Sequence, residues 1–164
     1  MSVLGGGTRA SRVLPKVMLA IAVSVLLVAG VGCGEGAGVS TGATVVAYVD
    51  APLCAGAERE LARKGDEAGS VRVRVACLES ARDGARLNLA TVGANARRAT
   101  EDSAAVAYIE TPATPSFSRP IVEAAGIPVI RSSSGEAGMG QLLAAIAEVD
   151  DSGSLRDEVR KSLG

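Results

Sequence analysis

The 164 residues carry 17 basic and 18 acidic side chains, a net charge of −1 that gives nucleic acid no electrostatic footing. Histidine is absent and Tyr48, Tyr108 and Phe117 are the only aromatic side chains, so histidine-based triads are excluded, the commonest metal ligand is missing and there is almost nothing to stack on sugars or bases. Neither a G-x-G-x-x-G nor a G-x-x-x-x-G-K-[ST] phosphate loop occurs; no enzyme activity, cofactor or metal is expected.

Arg9, Arg12 and Lys16 precede an uncharged run over 17–32 that is interrupted only by Ser24, Gly30 and Gly32. That is the layout of a secretory signal peptide. As a helix the run rises about 24 Å, short of the roughly 30 Å of hydrocarbon that a spanning helix crosses. It ends in Ala29-Gly30-Val31-Gly32-Cys33, which resembles the lipobox of bacterial lipoproteins, with Gly30 where such motifs usually carry Leu. The resemblance implies that Cys33 is diacylated, as with palmitate, becomes the new N-terminus and anchors the chain to the cell membrane from the extracytoplasmic side. An uncleaved signal anchor and cleavage without lipid are the other two readings. Residues 34–42 are rich in Gly and read as a flexible tether. The expected organisation is therefore a signal peptide over 1–32, the lipidated Cys33 and tether over 33–42, and one α/β domain over 43–164. Removing residues 1–32, which hold three basic side chains and no acidic one, leaves a net charge of −4.

The β-branched run 44–49 predicts a strand buried on both faces. Leu53, Ala57 and Leu61 follow at helical spacing, with Gly65 available to end the helix. Val71, Val73 and Val75 alternate with Arg72 and Arg74, as in a strand near a sheet edge, and 79–86 reads as a polar loop. Leu89, Val92, Ala96 and Ala99 form the next helical stripe, and 104–109 is a third apolar strand. Thr114 before Pro115 predicts the start of a third helix with Phe117, Ile121 and Ala125 on its inner face. Residues 127–130 are a short fourth strand. Met139, Leu142, Leu143, Ile146 and Val149 make a strong amphipathic stripe, and Ser154 to Asp157 resembles a capping box before a last helix on Leu155, Val159 and Leu163. The adjacent Asp150 and Asp151 read as solvated acids.

Strand and helix in alternation predict a doubly wound parallel sheet of about four strands with helices on both faces. With Cys33 lipidated, Cys54 and Cys77 remain as an even pair. One follows the first strand and the other ends the second, so both lie at the carboxyl edge, where they form a disulfide or pack as two buried thiols. Small molecules bind such sheets at that edge, which brings the loops 50–54, 111–118 and 131–135 together. Thr111, Thr114 and Ser116 on the second loop and Ser132, Ser133 and Ser134 on the third are the candidate ligand contacts. Each is equally a turn or helix-cap residue.

The segments 45–56, 94–109 and 117–130 resemble type I periplasmic solute-binding proteins, the family that includes the leucine/isoleucine/valine-binding proteins of ABC importers. The most specific stretch is Pro120-Ile-Val-Glu123-Ala-Ala-Gly126-Ile-Pro-Val-Ile130 before Ser132. The resemblance implies one lobe of that fold, with a small polar or amino-acid-like ligand and an ABC permease or a second protein lobe as partner. Two departures bear on function. The chain has length for the first lobe only, and Glu110 and Thr111-Pro112 stand where the family places Gly and the serines that hold a ligand carboxylate. The expected function is a membrane-tethered, solute-binding-like lipoprotein without catalysis. The alternative is a structural or protein-interaction domain that kept the fold and lost the ligand site.

Overall fold

The computed structural model describes residues 42–112, 116–149 and 154–164. Cys33, the tether up to residue 41, Thr114 and the Asp150-Asp151 pair lie outside the described residues.

Four parallel strands form the centre of the domain: β1 (Thr44–Val49), β3 (Val71–Cys77), β6 (Ala105–Glu110) and β7 (Val129–Arg131). A two-residue strand, β2 (Glu67–Ala68), adds an antiparallel edge to β3, giving a mixed five-stranded sheet in the order β2-β3-β1-β6-β7. Helices cover both faces. Successive side chains on a strand point to opposite faces, and the cores divide accordingly. Val45, Ala47, Val49 and Ile109 join one core with residues of α1 (Ala51–Arg63), α4 (Gly135–Ala147) and α5 (Leu155–Leu163). Val46, Tyr48 and Tyr108 join the other with α2 (Leu89–Glu101) and α3 (Arg119–Ala124). Among the described residues every buried side-chain nitrogen and oxygen has a hydrogen-bond partner.

Several expectations hold at the level of single residues. Leu53, Ala57 and Leu61 are buried on α1, and Met139, Leu142, Leu143 and Ile146 on α4. On β3, Val71 and Val73 are buried between exposed arginines, and β2 covers only its first two residues, so β3 does lie near the edge. Others need correction. The third helix starts at Arg119, with Pro120 in its first turn, and not near Thr114. That later start turns Val122 inward and leaves Phe117 and Ile121 55% and 43% exposed. Leu89 opens α2 at its exposed end and does not join the stripe of Val92, Ala96 and Ala99. The segment expected as a loop over 79–86 runs into a small ribbon of β4 (Arg82–Asp83) and β5 (Arg86–Leu87), turning at Gly84 with φ +58°. Residues 51–54, expected as a loop, are already the first turn of α1. Ser154 makes no side-chain cap; its carbonyl oxygen accepts from the amides of Asp157 and Glu158 instead.

Helices α1 and α4 approach closely because glycine faces glycine. A Cβ on Gly135 would overlap the backbone of Leu53 and Ala57, whereas one on Gly56 would meet only the side chain of Glu136. Packed helix backbone cannot move aside, but a half-exposed carboxylate can. Gly135→Ala should therefore lower stability by about 1–3 kcal/mol, and Gly56→Ala by much less. Urea unfolding of the two variants measures the difference, and equal losses would contradict this account of the helix contact.

Candidate functional site

The chain runs from β1 out to β3, then back past β1 to β6, so strand order reverses between β1 and β6. In an open α/β sheet the crevice at that reversal, beyond the carboxyl ends, is where ligands bind. Here Asp50 directly follows β1 and Glu110 ends β6. The backbone continues the ladder past the strands: the Asp50 amide donates to the Ile109 carbonyl at 2.9 Å, and the Ser132 amide to the Glu110 carbonyl at 3.0 Å.

Glu110 is the centre of the site. Its side chain is 1% exposed. The Ser116 hydroxyl donates to Oε1 at 3.3 Å and the Ser118 hydroxyl to Oε2 at 3.2 Å. Arg131, the cross-strand partner of Glu110 on β7, brings Nε to 3.3 Å from Oε1 as an ion pair and donates a hydrogen bond to the Pro112 carbonyl. A carboxylate so deeply withdrawn from water is tolerated only when its charge is matched and its lone pairs are occupied. Arg131 on β7 supplies the charge, and Ser116 and Ser118, after β6, supply the hydroxyls.

Asp50 does not cap α1; its Oδ2 accepts from the Thr111 amide at 3.0 Å. Burial raises the Asp50 pKa above the ordinary aspartate range, with Glu110 adding to the shift and the Thr111 amide opposing it. Tyr108, two residues before Glu110 and on the same face, has its phenol pushed up by burial and by the Asp50 charge, against a hydrogen bond with Ser118.

The expected contacts divide by role. Ser116 is drawn into the Glu110 cluster, together with Ser118, and Thr111 enters through its amide. Ser132 is buried and donates to the Ser134 carbonyl at 2.8 Å; Ser134 is the N-cap of α4, its hydroxyl accepting from the Ala137 amide at 3.1 Å. Ser133 is exposed. Asp50 and Ser118 were not among the expected contacts. The available signal was an acid immediately after each of two apolar strands that meet at the reversal, and a second serine two residues after Ser116.

Cys54 and Cys77 form the disulfide, with Cα atoms 5.6 Å apart. Cys77 is level with Val49 across the β1–β3 pair and Cys54 lies in the first turn of α1, so both sit at the carboxyl edge. Closing 23 residues of sequence in this way contributes roughly 3 kcal/mol in the chain-entropy account.

A cleft of about 480 Å3 lies at the opposite edge, lined by the starts of β1, β6 and α5. Its guanidinium, Arg156, donates to the carbonyls of Ala105 and Ser103, at 2.9 and 3.0 Å, and so ties α5 to β6. The acids and hydroxyls described above are gathered at the carboxyl edge instead.

No protein-family model, curated protein or solved structure matches this chain. Among the described residues no helix is long and apolar enough to cross a membrane.

The two members of the Glu110–Arg131 pair are unequally buried, 1% against 41% exposed. Removing the arginine strands a buried charge, whereas neutralising the acid leaves a guanidinium that water can still reach. Arg131→Met should cost about 3 kcal/mol or more, and Glu110→Gln only about 1 kcal/mol. Thermal unfolding of both variants at pH 7 checks the order, and a larger loss for Glu110→Gln would reverse the assignment.

Proposed function

We propose that this chain is a lipid-anchored extracytoplasmic domain, built like one lobe of a type I solute-binding protein, that serves as a protein-interaction or structural module and not as a transport receptor. The observation that carries this reading is the internal carboxylate of Glu110. It takes the Ser116 and Ser118 hydroxyls and the Arg131 guanidinium, the groups with which a shelf of this kind would hold the carboxylate of a free ligand. Ser132 and Ser134 are likewise engaged within their own loop. Delivery of an amino-acid-like ligand to an ABC permease, alone or with a second lobe, would require those hydroxyls to be free. Support for a partner protein comes from Phe117 and Ile121, large apolar side chains exposed beside the same edge.

Two measurements test the reading. Calorimetry on the mature chain, residues 33–164, with its size determined by light scattering in the same buffer, should give no heat of binding for amino acids or small carboxylates at micromolar to low millimolar concentration. Micromolar binding to a monomer would replace the interaction reading with the transport one. Metabolic labelling with a radioactive fatty acid should mark the wild-type chain, and Cys33→Ser should abolish the label. An unlabelled wild type that stays in the membrane fraction would favour the uncleaved anchor.

A further inference from the structure

We propose that the cluster of Cys54, Glu58 and Cys77 becomes a site for a divalent cation of the zinc class once the disulfide is reduced. Cys54 and Glu58 are four residues apart on α1 and so share one face of the helix; Cys77 ends β3 beside them. One ligand atom from each lies within 4.8 Å of the other two. A Glu58 carboxylate oxygen is 3.6 Å from the Cys77 sulfur. In the bridged protein that sulfur has no hydrogen to donate, so this is a contact and not a hydrogen bond; it places the carboxylate within reach of both sulfurs.

Reduction supplies the missing chemistry. A dithiol protein takes the bridge by exchange, its own two thiols becoming a disulfide as Cys54 and Cys77 gain two electrons and two protons. Binding of the cation then displaces both thiol protons and leaves two thiolates and one carboxylate as ligands. That donor set selects zinc over the hard cations, which prefer oxygen alone. Two Zn–S bonds of about 2.3 Å need the sulfurs roughly 3.7 Å apart in tetrahedral geometry. Cα atoms 5.6 Å apart accommodate this by side-chain rotation with the backbone unchanged.

Charge and access agree. Two thiolates and a carboxylate exceed the charge of a divalent cation by one, and Arg98 is fixed beside the site. Its guanidinium donates to the Cys77 carbonyl at 3.3 Å and lies over the Tyr48 ring, 5.8 Å from the centroid. Glu58, Cys77 and Arg98 line one open groove, which gives the cation an entry path and leaves the fourth position to water. The end of β3 would thus be tied to α1 in either redox state, by a covalent bond in one and by the metal in the other.

The test uses the full chain in detergent. The bridge is reduced with a water-soluble phosphine, which takes up the oxygen of one water as the two thiols form, and the chain is desalted without air and titrated with zinc against a chromogenic chelator. Reduced wild type should retain one zinc per chain and the bridged protein none. Cys77→Ser should retain none under the same conditions, which also excludes binding by an unacylated Cys33. Glu58→Gln keeps both cysteines and can be verified as folded in its bridged form; after reduction it should bind about tenfold more weakly or worse. Cobalt in place of zinc should give a thiolate charge-transfer absorption in reduced wild type only. The proposal is overturned if reduced wild type holds no more zinc than the bridged protein, or if Cys77→Ser or Glu58→Gln binds as tightly as wild type.

Discussion

A carboxylate buried at the end of the most enclosed strand dictates much of what surrounds it. β6 is apolar and covered on both faces until Glu110, which is as inaccessible as its neighbours but carries a charge. Left unmatched, such a charge would cost several kcal/mol. Arg131 therefore has to come from the adjoining strand, and the hydroxyls of Ser116 and Ser118 from the segment that follows. Folding that segment back over the strand end delays α3 until Arg119, which in turn decides that Val122 and not Ile121 meets the sheet. One buried acid thus links the register of β6 and β7 to the face that α3 presents.

The opposite half of the domain depends on close approach. Gly135 lets α4 run against the backbone of α1, and the Cys54–Cys77 bridge holds the first turn of α1 to the end of β3. The helix contact and the bridge act on the same helix from two sides. Gly138 makes a separate close approach, of α4 to the sheet, since a Cβ there would press on Ile109 of β6 and on Ser132 just after β7.

Much of this was legible in the residues. The β-branched run of β1, the alternation of Val71 and Val73 with arginine, the stripe of Met139, Leu142 and Ile146, and the placement of two cysteines at one sheet edge all follow from period and position, whereas that the cysteines bridge was one of two readings. What was not legible has physical causes. A helix of six residues such as α3 is under two turns long, too short for its apolar spacing to identify a face, so Phe117 and Ile121 were read inward. Strands of two residues carry no period at all, which hides β2, β4 and β5. The turn into β2 places Asp66 at φ +61°, a conformation for which its residue type is only a weak signal. Glu110 was legible as a departure, an acid where a ligand carboxylate would be repelled, but its identity could not reveal that it turns inward and gathers the serines itself.

That inward turn changes what the carboxyl edge can do. A shelf binds a small anion when its donors exchange water for the ligand, and each such bond brings only about 0.5–1.5 kcal/mol even when the exchange is clean. Around Glu110 the exchange would be with a carboxylate already in place, fixed by the chain and so free of the translational loss that a free ligand must overcome. An external carboxylate would have to displace it, and the displaced group, held by its own strand beside Asp50, would remain as a like charge. At this edge the acid at the strand reversal, the Ser134 cap and the disulfide engage groups within the chain that a hinged receptor would need left open. Donors fixed in this way leave little conformational freedom to be lost on contact, which supports the interaction reading proposed above.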